Sequence, residues 1–126
     1  MSEAAQTLDG WYVLHDFRTI DWTAWNDATA EEREQARRGL LGQVAEWEEV
    51  EARKEGSLAV YAIVGQKADI VFMHLRETLQ ELNAIENAFN RSPFARFAKP
   101  AYSYVSVVEL SNYMGQPGVD PMQVPE

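Results

Sequence analysis

The segment AYSYVSVVELSNY, at Ala101–Tyr113, predicts a β-strand that must be covered on both faces. Side chains alternate along an extended chain, so Tyr102 and Tyr104 point one way and Val105 points the other. A strand with one face in water alternates more cleanly between apolar and polar residues. The strand is therefore expected to be covered on both faces, and the rest of the sequence has to show what covers each of them.

The remaining apolar patterns predict three more strands and two long helices. The other predicted strands are Leu8–Phe17, Leu58–Val64 and Ile70–Leu75, and the helices follow Thr29 and Thr78. The resulting order, strand, helix, strand, strand, helix, strand, is the ferredoxin-like βαββαβ plan. Right-handed crossovers then place both helices on one face of a four-stranded antiparallel sheet, which is an α+β fold.

Local signals define where the two helices begin and where the first one ends. Thr29 is followed three residues later by Glu32, and Thr78 is followed by Glu81 at the same spacing. This spacing is typical of a capping box, in which two side chains satisfy free backbone donors at a helix start. The first helix is expected to run to about residue 54, with Gly56 as its left-handed terminator.

The second face of the predicted sheet has no cover within this chain. An apolar sheet face of that size favours association, so we expect a second, similar sheet to pack against it in an αβ-barrel. That sheet comes either from another copy of the chain or from another domain. We assign residues 1–113 to the ferredoxin-like domain. Residues 114–126, MGQPGVDPMQVPE, have the Gly and Pro content of a linker or tail toward a second domain.

Composition excludes several classes of function. The net charge is −9, with few clusters of Lys and Arg, which argues against a nucleic-acid partner. The chain has no cysteine, so it has neither disulfides nor thiolate metal ligands. The first residues lack the basic and apolar regions of a secretory signal, and no apolar run is long enough to span a membrane. The expected location is therefore the cytoplasm.

The residues with chemical potential are few, and none forms a catalytic arrangement. His15 and His74 lie on strands that are neighbours in the ferredoxin-like order, so they could share a face. Two imidazoles make an incomplete metal site, which favours core or interface histidines over metal or heme ligands. Tyr102 and Tyr104 are interpreted mainly as aromatic packing between two sheets. No catalytic and no metal-binding residue is predicted.

A polar corner follows the last strand at Ser111, Asn112 and Tyr113. Three hydrogen-bonding side chains at the end of a buried strand suit recognition of a carboxylate. An ordinary turn between a strand and a loop has the same composition. From the residues alone, both interpretations remain open.

Three long segments resemble the N-terminal half of coproheme decarboxylases of Gram-positive bacteria, which are members of the chlorite dismutase family. They are DGWYVLHDFRTIDWTAW at Asp9–Trp25, AVYAIVGQKADIVFM at Ala59–Met73 and PAYSYVSVVELSNY at Pro100–Tyr113. The resemblance covers nearly the whole chain, in order and with similar spacing. It implies two ferredoxin-like domains whose sheets face each other, in subunits that assemble into a ring.

The resemblance also implies a function in heme biosynthesis. The family enzyme binds coproheme and uses hydrogen peroxide to remove two propionate carboxylates, which gives heme b. Its iron ligand and its radical tyrosine lie in the second half, so no catalytic residue carries over to this chain. We expect little activity and no bound heme from this half alone. The corner at Asn112 and Tyr113 resembles the part of the family's N-terminal half whose polar groups reach the propionates. The resemblance therefore implies that Asn112 and Tyr113 donate hydrogen bonds to the propionates, with Ser111 as a weaker candidate.

Two hypotheses follow from the sequence. In the first, the chain is the N-terminal domain of a coproheme decarboxylase that acts together with its other half. In the second, the chain pairs with itself through the sheet face, as a binding or scaffold module without heme chemistry.

Overall fold

Four alternating apolar segments form one antiparallel sheet, with two long helices against it. The computed structural model describes residues 10–65 and 67–109. The strands are β1 (Gly10–Ile20), β2 (Gly56–Ala62), β3 (Ile70–Arg76) and β4 (Ala98–Glu109). The helices are α1 (Trp22–Asp27), α2 (Ala30–Ala52) and α3 (Leu79–Asn90), and a 3-10 turn spans Pro93–Arg96. The strand order β2-β3-β1-β4 confirms the predicted ferredoxin-like α+β plan.

Both long helices begin where the sequence predicts. The Thr29 hydroxyl accepts a hydrogen bond from the Glu32 backbone N–H at 3.0 Å. The Glu32 carboxylate accepts one from the Thr29 backbone N–H at 2.8 Å, which completes the capping box of α2. At α3 the Thr78 hydroxyl accepts from the Glu81 backbone N–H, but the Glu81 carboxylate accepts from the Thr78 hydroxyl instead of the backbone. Only half of the predicted box therefore forms at α3.

The terminator of α2 is Lys54, and the prediction of Gly56 was wrong. Lys54 has a left-handed φ of 58°. Its N–H donates to the Glu51 carbonyl at 3.1 Å, and the Glu55 N–H donates to the Val50 carbonyl at 2.9 Å. This pair of bonds is the Schellman motif. Gly56 instead opens β2, where a Cβ atom would lie 2.1 Å from the Leu75 carbonyl oxygen.

Several strand boundaries differ from the prediction. The last strand begins at Ala98, because Pro100 is accommodated within it opposite Arg18, where the register shifts. Proline is tolerated there because β4 is an edge strand with a bulge. The first strand continues to Ile20, where it pairs with Ala98. The second strand begins earlier than predicted and ends at Ala62, so the β2–β3 connection is longer.

The core lies between the sheet and the two long helices. Trp47 of α2, Phe72 of β3 and Phe89 of α3 form its centre, together with Ala98. The α2 helix packs on β2 and α3 packs on β3. Contrary to the prediction, the helices leave part of β4 uncovered: Val105 and Val107 face the helix side and are 46% and 57% exposed. The helix layer is centred on β2 and β3, away from this edge.

The outer surface of α2 carries pairs of oppositely charged residues. Glu34 contacts Arg37 and Arg38 at 2.6 and 3.0 Å, and Glu49 lies 3.6 Å from Arg53. Pairs three and four residues apart are typical of a solvated helix surface. Among the described residues, no helix has the length and apolar character needed to cross a membrane.

Candidate functional site

The side of the sheet away from the helices is the main candidate site, and we call it the open face. Between the Trp11–Val108 and Phe17–Tyr102 pairs, its side chains are those of Trp11, Val13, His15 and Phe17 on β1, Ser57, Ala59 and Tyr61 on β2, Val71, Met73 and Leu75 on β3, and Tyr102, Tyr104, Ser106 and Val108 on β4. This set contains no Asp, Glu, Lys or Arg. The two tyrosines of β4 fall on the same face, as the alternation of β4 predicts.

Four rings form a stacked cluster on the open face. The His15 ring lies on Tyr104, with centroids 4.1 Å apart, and the Phe17 ring lies on Tyr102, with centroids 4.6 Å apart. Each pair consists of directly opposed residues on β1 and β4, where cross-strand side chains come closest. Tyr102 and Tyr104 nevertheless remain 56% and 47% exposed. The cluster is therefore an aromatic surface with one side still available for contact.

His15 is the only titratable group of this cluster near neutral pH. Its Nε2 lies 3.0 Å from the Ser106 hydroxyl oxygen. Partial burial lowers the pKa of His15, because the charged imidazolium loses solvation. At neutral pH the imidazole is thus mostly uncharged, in keeping with the rest of the open face.

A cavity of about 310 Å³ lies at one end of the open face. Phe17 and Tyr102 form part of its lining, with Ile63, Lys67 and Ala68 from the β2–β3 connection. Lys67 is the only charged residue of that lining. The cavity extends the aromatic surface and does not add a catalytic group.

His74 lies on the opposite side of the sheet from His15, so the two histidines do not share a face. The register pairs His74 with Leu14 and His15 with Met73. His74 is 1% exposed, and its ring meets Trp47 edge-on at 4.7 Å. Burial, with a smaller effect of Arg76, lowers the pKa of His74 to about 3. His74 is therefore a neutral core residue.

A buried ion pair on the helix side was not predicted from the sequence. Arg18 donates to both carboxylate oxygens of Asp16, at 2.8 and 3.0 Å, and also to Asn90 and the Ala98 carbonyl. Its guanidinium lies 4.5 Å from the centre of the Phe89 ring. These contacts connect β1 to α3 and to the start of β4. A structural role accounts for all of them.

The polar corner at Ser111, Asn112 and Tyr113 lies outside the described residues, as does the segment 114–126. The last described residue of β4, Glu109, pairs with Gly10. Among residues 10–65 and 67–109, no three metal-binding side chains converge. The described part of the chain thus offers the open face as a contact surface.

Comparison with known proteins gives a consistent match. The family model for chlorite dismutase matches residues 28–126. A heme-binding protein from Thermus thermophilus is 48% identical, with a TM-score of 0.76, over 80% of this chain and 41% of that protein.

More distant structures share the fold. Chlorite dismutase from Candidatus Nitrospira defluvii, in complex with imidazole, is 17% identical, with a TM-score of 0.64, over 91% of this chain and 48% of that protein. The chain thus spans less than half the length of each of these two relatives. The extent of the family match and the 48% identity show that the chain belongs to the chlorite dismutase family.

Proposed function

We propose that this chain is the N-terminal half of a coproheme decarboxylase, the heme-biosynthesis enzyme that converts coproheme to heme b with hydrogen peroxide. The uncharged open face, with three tyrosines about half exposed, carries the proposal, because it occurs in a chain 48% identical to a heme-binding protein. In this proposal the chain supplies one sheet of a two-sheet protein and part of the substrate's surroundings.

The open face has the properties of a surface that packs against a second sheet. It carries aromatic and aliphatic side chains without a charge, and Tyr61, Tyr102 and Tyr104 are about half exposed. Two sheets pack face to face at about 10 Å through such side chains. The Thermus protein has more than half of its length beyond the part that this chain spans, which is room for a second domain.

The described residues do not fit a heme site of their own. The His74 imidazole is enclosed in the core against Trp47, and the His15 imidazole is stacked on Tyr104, with Nε2 beside the Ser106 hydroxyl. Either ring would have to leave these contacts to bind iron. In this proposal the iron ligand and the oxidation chemistry belong to the rest of the enzyme, and no step is assigned to a residue of this chain.

The proposed contribution to the substrate site is the corner that follows β4. Asn112 and Tyr113 can each donate a hydrogen bond to an ionised propionate, with Ser111 as a further donor. One such bond contributes about 1.5–3 kcal/mol, which orients a substrate but does not hold it alone.

The test is a chimera in which residues 1–126 are joined to the part of the Thermus protein that this chain does not span. With coproheme and hydrogen peroxide, the proposal predicts a product lighter by two carboxylates, measured by mass spectrometry. Replacing Asn112 by Ala and Tyr113 by Phe should weaken coproheme binding, and replacing the exposed Trp22 should not. A folded chimera that binds heme b and leaves coproheme intact would contradict the decarboxylase assignment.

The exposure of the open face also favours a second function, a scaffold module in which two copies pair through this face. This hypothesis predicts a stable dimer of the isolated chain by light scattering, together with no saturable change in the Soret band on addition of coproheme. In that case Tyr104→Arg should convert the dimer to a monomer.

A further inference from the structure

A groove of about 400 Å³ separates α2 from α3 on the helix side of the sheet. Trp47 and Val50 of α2 line one wall, and Ile85 and Ala88 of α3 line the other. Arg76 of β3 lines it from the sheet. The volume lies within the range of small-molecule sites, roughly 300–1,000 Å³. The lining combines these apolar walls with four charged residues, Glu46, Glu49, Arg53 and Arg76.

Arg76 is a buried cation without an ion partner. It is 4% exposed, and among the side chains that the structure describes no carboxylate lies within 4.0 Å of its guanidinium. The charges of Glu81 and Glu55, which lie farther away, favour the charged form of Arg76. Its Nη1 donates to the carbonyls of Ser57 and Leu75, at 3.2 and 2.9 Å. Nε and Nη2 have no acceptor among the described residues, and neither atom is fully enclosed, so solvent reaches them. Burial lowers the pKa of Arg76, so the charge is held at a cost in solvation.

The other buried arginine shows what a satisfied site looks like in this protein. Arg18 is also 4% exposed, but it has a bidentate carboxylate partner in Asp16 and further acceptors on Asn90 and Ala98. A buried guanidinium ordinarily has such a partner, because unpaired charges are costly to bury. At Arg76 the position of that partner is open to the groove.

We propose that the groove between α2 and α3 binds a small monocarboxylate with an apolar body, and that Arg76 pairs with its carboxylate. The planar guanidinium matches a carboxylate through two parallel hydrogen bonds. The apolar walls contact the rest of the ligand. Of the other charged residues in the lining, Arg53 lies 3.6 Å from Glu49 and 2.8 Å from Glu55, and Glu46 adds negative charge that disfavours a ligand with several negative charges.

This site is independent of the proposed heme function, because the groove and the open face lie on opposite sides of the sheet. The inference therefore holds whether the open face meets a second domain or a second copy. It adds a ligand site to the helix layer.

The test is isothermal titration of the full chain with indole-3-propionate, using the neutral indole-3-propionamide as the matched probe. Because the amide has no charge to pair with Arg76, it should bind about ten- to a hundredfold more weakly than the acid. Ala88→Trp, which fills the groove and leaves Arg76 in place, should abolish binding. Ala45→Trp, at an exposed position of α2 outside the groove, should leave it unchanged.

Three results would overturn the proposal. One is the absence of saturable binding of indole-3-propionate at millimolar concentrations. The second is equal affinity for the acid and the amide, and the third is full binding by an Ala88→Trp chain whose circular dichroism is unchanged. Arg76→Gln supplies a further check, since it should reduce the affinity for the acid and leave that for the amide unaltered.

Discussion

The imidazole of His15 lies parallel to the phenol ring of Tyr104, with ring centroids 4.1 Å apart and planes 12° apart. This stacking connects β1 to the edge strand β4 at the centre of the open face. It also removes water from one side of His15, which is why burial lowers the pKa of that imidazole.

The first prediction concerns this pKa. Replacing Tyr104 by Ala should raise the pKa of His15 toward its ordinary value, because the ring regains solvent. The chemical shift of the imidazole Hε1 proton, followed by NMR as the pH is changed, measures it. His74 is an internal control, since it should not titrate near neutral pH. An unchanged His15 pKa in the variant would mean that the Tyr104 ring is not what shields the His15 imidazole from water.

The second prediction concerns acid stability. The pKa of His74 is about 3 in the folded chain, against 6.5 for a solvated imidazole, so the unfolded chain binds the proton first as the pH falls. Above about pH 6.5, His74 is neutral in both the folded and the unfolded chain. Between that pH and about pH 3, only the unfolded chain takes up the proton, so the free energy of unfolding falls as the pH falls. His74→Leu should flatten the loss of unfolding free energy in this window, by up to about 1.4 kcal/mol per pH unit. Urea unfolding at several pH values tests this.

The outcome at neutral pH separates two effects of the same substitution. His74 Nδ1 has no hydrogen-bond partner in the described part of the chain. Leucine removes this unsatisfied atom at similar volume, so His74→Leu should cost little at pH 7. An equally steep pH dependence in both proteins would contradict the role of His74.

The third prediction concerns the buried pair of Asp16 and Arg18. Asp16→Ala should lower the free energy of unfolding by about 3–5 kcal/mol, because it leaves a buried guanidinium without its counter-ion. Urea denaturation measures the loss. Glu34→Ala, which breaks exposed pairs with Arg37 and Arg38, is the control and should have little effect. A similar loss of unfolding free energy in Asp16→Ala and Glu34→Ala would show that burying the pair does not raise the cost of breaking it.

The fourth prediction compares two glycines. Gly56→Ala should destabilise the fold by at least about 2 kcal/mol, because the new Cβ would lie 2.1 Å from the Leu75 carbonyl oxygen and 2.7 Å from Arg76 Nη1. Gly42→Ala, in α2 with nothing within 4 Å, should stabilise it by about 0.5–1 kcal/mol. The two melting temperatures should move in opposite directions. A shift of both in the same direction would contradict the account of Gly56.

Features set by neighbours in sequence could be predicted, whereas features set by contacts between distant segments could not. The capping box of Thr29 and Glu32 joins residues three apart, so its signal is present in the local sequence. The faces of β4 follow from strict alternation. The steric need for glycine at Gly56 comes from β3, so it is invisible in the local sequence.

The candidate site shows the same limit. Whether His15 and His74 share a face depends on the β1–β3 register, and a shift of one residue reverses the answer. The buried pair has a local signal, since Asp16 and Arg18 are opposite charges two apart on a strand. Its partner Asn90 could not be predicted, because α3 contributes it from a distant part of the chain.

The most direct test of the account is a coproheme titration of the chimera with and without Tyr104→Arg. The account predicts saturable binding, followed by the Soret band, that is lost when a charge is placed on the open face, because the two sheets then fail to pair. Trp22→Arg, at an exposed aromatic residue of α1, should bind like the unmodified chimera. Full coproheme binding by a folded Tyr104→Arg chimera would contradict the claim that the open face joins the two halves.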